Sequence, residues 1–391
     1  GCTPEAEEAA LPYVNQPEFV LPGQPRWYAT AVTFCGPAQP VLAKTHVGRP
    51  VKLEGNRDHP LTGGGTDPFL QAALLGLYDP DRSQGPRRDG RPTNWASSEA
   101  ALTELVQQLD AVQGEGFRLL TGATTSATFA RQLAALSARW PRARWHVWEP
   151  CAASGRDAAI LAVLGSRLVP HFMLHDAEAL VCLDDDPLGP GPQQAVLAAR
   201  WGERRRAMQR GQGGCSLLVA EAAPTLTGTM AERRLVAPPQ RINTLARAIA
   251  RDVGIPDIAV PALSSEEQQW VDRSVATLRS HGGRSLLTVG DRQDVETQIL
   301  GLMICDRLGA IGKTLRFRQP VTVEPPGGSE AFGRLVEDMR AGAVSSIAII
   351  GSNPVYTASD AGFAEALAKV PWRLHAGTHR DETARRCQWH L

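Results

Sequence analysis

Cysteine is the residue type with the most chemistry to offer in this chain, and its spacing narrows that chemistry at once. The seven thiols stand at Cys2, Cys35, Cys151, Cys182, Cys215, Cys305 and Cys387, and no two are close enough to form a C-x2-C pair. An iron-sulfur or zinc-ribbon site built from cysteine alone therefore has no ligand set here, and the odd number argues against a complete disulfide framework. Cys2 follows a small residue, Gly1. That pair is what remains of a bacterial lipoprotein cleavage site, in which Cys2 carries acyl chains; the other reading is a solvent-exposed terminal cysteine. Cys151 falls between a strand-like and a helical segment. A thiol near a helix N-terminus is biased towards thiolate and could ligate a metal; the plainer reading is a small residue beneath a loop.

A second place for chemistry is Gly351-Ser352-Asn353-Pro354, which follows an apolar run and precedes a helical pattern over 363–369. This is the carboxyl end of a strand, where α/β proteins bind nucleotides, although Gly351 and Asn353-Pro354 also suit a simple turn. Gly312-Lys313-Thr314 has the look of a phosphate loop, but Arg307 stands where the first glycine is needed, and a helix, not a strand, precedes it. His375, His379, Cys387 and His390 have tolerable zinc spacing, yet Arg380, Arg385 and Arg386 beside them repel a cation, so core or interface packing is the default. His171 and His175 have nothing nearby to complete a site, and Arg204-Arg205-Arg206 with Arg210 reads as a solvated helix face. No G-x-S-x-G elbow or H-E-x-x-H pair occurs.

These residues need elements to hold them. Residues 3–25 are rich in Pro, Glu and Ala without apolar periodicity and read as an extended arm. Residues 26–34 alternate like a strand, and 41–53 read as a hairpin turning at Val47-Gly48-Arg49. Beyond Ser97, amphipathic helices alternate with short apolar strands, as a parallel sheet with crossover helices requires. The predicted strands of a first sheet are 118–120, 145–148, 180–183 and 217–219; a helical passage, 241–253 and 266–279, then leads to a second sheet of 286–289, 315–317, 347–350 and 373–375. The expected division is an arm over 1–25, a small β-rich unit over 26–95, an α/β domain over 96–240, a helical connection over 241–280 and a second α/β domain over 281–391.

With 391 residues and 43% hydrophobic content, the chain can bury substantial cores. Forty-one basic residues balance 41 acidic ones, so no global field gathers nucleic acid or an anionic membrane surface. No apolar run approaches the roughly twenty residues of a spanning helix. Nine tryptophans, among them Trp27, Trp95, Trp372 and Trp389, could serve as anchors at protein interfaces or fill cores.

Residues 41–60, V-L-A-K-T-H-V-G-R-P-V-K-L-E-G-N-R-D-H-P, and 77–84, L-Y-D-P-D-R-S-Q, resemble the opening of the molybdopterin oxidoreductases. Redox-active members hold a [4Fe-4S] centre just upstream on a cysteine cluster, and here only Cys35 stands in that place. Residues 218–235, L-V-A-E-A-A-P-T-L-T-G-T-M-A-E-R-R-L, with 308–314, 351–358 and 381–390, are similar to the molybdopterin-like half of the large subunit of bacterial alternative complex III, a quinol-oxidising assembly.

This resemblance implies an α/β, molybdopterin-oxidoreductase-like fold: a small N-terminal β-rich unit followed by two parallel-sheet α/β domains. It implies a scaffold with no molybdenum cofactor, no iron-sulfur cluster and no catalytic residue of its own, Gly351 to Pro354 being a vestigial nucleotide loop. The [4Fe-4S] and [3Fe-4S] clusters are expected in a ferredoxin-like half that relatives carry beyond the position matching Leu391. Implied partners are that iron-sulfur half, cytochrome c subunits and quinol-binding membrane subunits, at the periplasmic face of the bacterial inner membrane, with Cys2 as lipid attachment site. The alternative is an active enzyme holding bis-molybdopterin guanine dinucleotide, with Cys151 on the metal.

Overall fold

The computed structural model describes residues 15, 18–21, 23–33, 36–59, 62–150, 154–323, 330–358 and 361–391. Most of the expected arm therefore lies outside the described residues, as do Cys2, Cys35 and Cys151. The expected hairpin is present inside a three-stranded antiparallel sheet of β1 (Arg26–Thr33), β2 (Ala38–His46) and β3 (Arg49–Gly55). Its two-residue turn has Val47 at φ 50° and Gly48 at φ 79°, the paired positive values that match the twist of a tight hairpin. Val41, Ala43 and Leu53 pack with Leu70 of α1 (Pro68–Ala72) into a small separate core.

From here the chain runs β4 (Arg87–Arg88), β5 (Arg91–Pro92), α2 (Trp95–Ala111), β6 (Phe117–Thr121), α3 (Ala127–Arg139), β7 (Arg144–Val147) and α4 (Ser154–Leu164). Next come β8 (Val169–Phe172), β9 (Ala179–Leu183), α5 (Gln194–Gln209), β10 (Ser216–Glu221), α6 (Leu226–Thr229), β11 (Arg233–Val236), α7 (Pro239–Asp252) and α8 (Ser265–Ser280). The last part is β12 (Ser285–Val289), α9 (Val295–Arg307), β13 (Leu315–Arg318), α10 (Glu330–Arg340), β14 (Ser346–Ile350), α11 (Pro354–Thr357), α12 (Phe363–Leu367), β15 (Trp372–Ala376) and β16 (Trp389–His390).

Local chemistry explains why the helices start where they do. Ser126 accepts a hydrogen bond from Phe129 N at the head of α3, and Ser264 with Glu267 forms a reciprocal capping box on α8. Pro239 sits in the first turn of α7, where a missing N–H costs nothing. Ile242, Leu245, Ala246 and Ile249 then form one buried stripe at i, i+3, i+4 and i+7.

The strands regroup relative to their order in the sequence. One sheet has the order β5-β4-β16-β15-β14-β6-β7, parallel from β16 to β7; another has the order β11-β10-β9-β12 and is parallel throughout. β8 and β13 form an antiparallel pair apart from both. So the predicted first sheet, 118–120 with 145–148, 180–183 and 217–219, is divided between two sheets, and strand 286–289 joins 180–183 instead of 347–350. Neither sheet keeps to 96–240 or 281–391, and α7 and α8 do not link two sheets but cover the four-stranded one. The physical reason is that apolar periodicity locates a strand without naming its partner. β6, β9 and β12 are buried along their whole length, so each is equally at home in any central position.

Candidate functional site

Parallel sheets bind ligands where successive connections leave in opposite directions. In the seven-stranded sheet β6 leads through α3 to β7, whereas its neighbour β14 leads through α12 to β15, so the reversal falls between β6 and β14. At the carboxyl ends of those strands lies a crevice of about 380 Å³ lined by Thr121, Thr124, Ser126, Thr128, Phe129 and Gln132, with Gly351 on its far wall. Three of its hydroxyls already serve the protein: Thr121 Oγ1 accepts from Trp145 Nε1 at 3.0 Å, Thr124 Oγ1 from Ser126 N at 3.2 Å and Ser126 Oγ from Phe129 N at 3.2 Å. Gly122 lets the loops close in, since a Cβ there would come 3.2 Å from Glu149 Oε1, and that oxygen accepts a hydrogen bond from Ala123 N at 2.9 Å.

Gly351 has φ 61°, a left-handed conformation that favours glycine. The next residues are committed to protein contacts. Asn353 Nδ2 donates to Glu382 Oε2 at 2.7 Å, its Oδ1 accepts from Thr383 Oγ1 at 2.8 Å and Thr383 N at 3.2 Å, and Thr383 Oγ1 accepts from Val355 N at 3.1 Å. Two blocks that carry the family resemblance, 351–358 and 381–390, thus meet here. Asn353 holds Glu382 below the usual carboxylate range by that hydrogen bond. Thr383 is fully buried, so Asn353→Ala strands its N–H and hydroxyl. We expect that variant to lose about 2 kcal/mol of stability in urea unfolding, while Ser352→Ala beside it loses less than about 0.5 kcal/mol.

The four-stranded sheet has its own reversal between β9 and β12, and there the crevice is filled by the chain itself. Arg156 of α4 donates from Nη2 to Val289 O at 2.6 Å, pairs through Nη1 with Asp291 at 2.7 Å, and stands 3.6 Å from Asp185. Gln293 donates to Asp184 at 2.8 Å, Gln298 donates to Gly290 O at 2.6 Å, and Thr227 donates to Asp186 from both its N–H and its hydroxyl. Gly290 is needed for this closure, because a Cβ there would lie 1.8 Å from Asp184 O. Burial pushes the Asp185 carboxyl above its ordinary range against the pull of Arg156. A separate cavity of about 30 Å³ lies beside it among Arg156, Phe172, Gln298 and Cys305, the scale of one water molecule.

The structure separates most other candidates. His375 and His390 come together, but His379 turns to Asp79 at 3.2 Å and Cys387 packs into the apolar core under β14. Among the described residues no group of three or more His, Cys, Asp or Glu is arranged to hold a metal ion. Cys182, Cys215, Cys305 and Cys387 are buried, and burial raises all four thiols, Cys305 to about 11 and Cys215 and Cys387 to about 12. Gly309 and Gly312 lead from α9 into β13, the reverse of a phosphate loop. Arg204 departs from the solvated-face reading: it is buried, 3.4 Å from Glu178, and donates to Gly214 O. Trp27 and Trp95 are exposed, whereas Trp389 is core. No described helix is long and apolar enough to cross a membrane. Arg156, the residue that closes the second crevice, carries no motif in the sequence; only its place early in a helix near Cys151 could have drawn attention.

No protein-family model matches the chain, and no curated protein matches it in sequence. Among solved structures it is similar to acetylene hydratase from Pelobacter acetylenicus, a molybdopterin oxidoreductase-family protein, with TM-score 0.57 and 12% identity over 90% of this chain. The chain spans 61% of the length of that protein. The fold is therefore mixed α/β with parallel sheets and a small antiparallel N-terminal sheet, similar to that of a molybdopterin oxidoreductase.

Proposed function

We propose that the chain is a non-catalytic, molybdopterin-oxidoreductase-like scaffold in a quinol-oxidising respiratory complex of the alternative complex III type. The observation that carries this reading is the crevice between β9 and β12, stoppered by Arg156 and its carboxylates. The active alternative would hold two pterin nucleotides, for which the fold offers its two reversal points. The β6–β14 crevice, at about 380 Å³, has the room for a nucleotide. In the β9–β12 crevice Arg156 is already taken up by Val289 O, Asp291 and Asp185, and Asp184 and Asp186 lie beside them, an acidic setting for a pyrophosphate. Those carboxylates weigh against the active bis-pterin alternative, in which Cys151 would meet the metal. The respiratory setting rests on the four sequence blocks, two of which the structure joins through Asn353 and Thr383. In this reading the scaffold stands at the periplasmic membrane face, anchored through Cys2, and presents surfaces to the iron-sulfur half, cytochrome c and quinol-binding subunits.

The test is to isolate the protein from native membranes and measure molybdenum, pterin and haem in one sample. Co-purifying c-type haem with less than about 0.1 molybdenum per chain is the expected result, on the scale at which a structural site would be saturated. Stoichiometric molybdenum and pterin would sink the scaffold reading, and absence of any haem protein would sink the respiratory one.

A further inference from the structure

A line of polar side chains at the edge of the seven-stranded sheet is used by neither crevice. His390 Nε2 lies 2.6 Å from Ser83 Oγ, His390 Nδ1 lies 3.0 Å from His375 Nδ1, and His375 Nε2 lies 3.5 Å from Asp381 Oδ2 without a hydrogen bond. Both imidazoles are buried, at 1% and 2% exposure. Their rings are tilted by 23° with centroids 5.2 Å apart, which with nitrogens at 3.0 Å means that they meet edge to edge. Each histidine belongs to a strand, and the two are register partners between β15 and β16. β16 has only two residues and in turn holds β4 and β5 on the sheet through Trp389 and His390.

We propose that this line is a proton-operated latch that fastens β16 and the β4–β5 hairpin to β15. The contacts fix where the hydrogens sit in the neutral pair. An Nε2–H on His375 faces the Asp381 carboxylate; its Nδ1 then accepts from His390 Nδ1–H, and His390 Nε2 accepts from the Ser83 hydroxyl. A first added proton charges His375, whose Nε2–H faces Asp381, by placing a hydrogen on its Nδ1. His390 must then accept at Nδ1 and carry its hydrogen at Nε2, towards Ser83 Oγ. A second proton leaves two N–H groups aimed at each other, and the latch opens. The other groups facing the pair are Arg380 and Arg87, which oppose added charge, and the backbone of Ser352. His379 is occupied by Asp79. Burial lowers the proton affinity of both imidazoles, so opening belongs to the acidic side of neutrality.

Hydrogen exchange on the full chain tests this, with amides of 87–91 and 389–391 measured relative to those of β14, which cancels the intrinsic effect of pH. Between about pH 7.5 and about pH 4.5 the relative exchange of the edge should rise at least about tenfold. In His375→Asn the side-chain oxygen can still accept from His390 but cannot take a proton, so the rise should stay within about threefold. No rise in the parent protein, or the same rise in the variant, would overturn the latch. Nitrogen NMR of histidine-labelled parent protein decides the matter even if the variant fails to fold. At mildly alkaline pH it should find His390 as the Nδ1–H and His375 as the Nε2–H tautomer; both as Nε2–H would overturn the proposal.

Discussion

Arg156→Ala should destabilise the protein by about 3 kcal/mol in urea unfolding, among the largest effects of any single substitution in the chain. The guanidinium is 17% exposed and Asp185 12%, so little solvent screens the pair. Removing one member of a buried ion cluster leaves the remaining charge without compensation, which costs more than the cluster contributes when intact. The Val289 carbonyl also loses its side-chain donor, and Phe172 loses the cation 5.7 Å from its ring centre. Adding Asp185→Asn to the variant should restore about half of the loss, because the stranded negative charge is then gone. A loss below about 1 kcal/mol, or no recovery in the double variant, would mean that the stopper is a solvated surface contact.

Acid should act through His146. It is buried in β7, with Nδ1 2.8 Å from Ala331 O and Nε2 without a partner. Burial first, then the nearby Arg118 and Arg144, lower its pKa from 6.5 to about 4, against the opposing pull of the Ala331 carbonyl and Asp338. The unfolded chain therefore takes up this proton before the folded one does. The stability His146 contributes is complete above pH 6.5 and is lost as the pH falls through about 4. The slope is about 1.4 kcal/mol per pH unit, or about 3 kcal/mol across the window. His146→Asn keeps a donor for Ala331 O and has no proton to gain. Its unfolding free energy should fall by about 3 kcal/mol less than the parent's between pH 7.5 and pH 4, and parallel curves would refute the assignment.

Helices and strands were legible because their signals are local. The helix over 127–139 carries its own cap in Ser126, and the hairpin at Val47-Gly48 its own turn chemistry. Two strands gave little sign of themselves: β8 contains Pro170 and β11 opens with two arginines. Sheet membership was not legible at all, because Phe117 pairs with Ser346 across most of the chain. Of the candidate site, Gly351 was legible as a loop after an apolar run; it lies on the wall of the crevice, and Asn353 beside it bonds Glu382 and Thr383. The hydroxyls over 121–128 were missed, since Thr and Ser in a loop look like ordinary solvation until β14 is set beside β6. Cys151 lies outside the described residues.

The interleaving of the two sheets also sets the order of events during synthesis. β6 and β7 leave the ribosome early, but β14, β15 and β16, which flank β6 on its other side, come only after the whole of 154–323 has been made. Meanwhile β6, a strand that ends up buried along its whole length, has one edge open, so the nascent chain must either shield it or risk pairing it with a stranger. The four-stranded sheet has no such wait: all its strands fall between 179 and 289 and can assemble first as a preformed block. β16 can take its place beside β15 only after all of this has been made, which makes closure of the larger sheet a late and slow step.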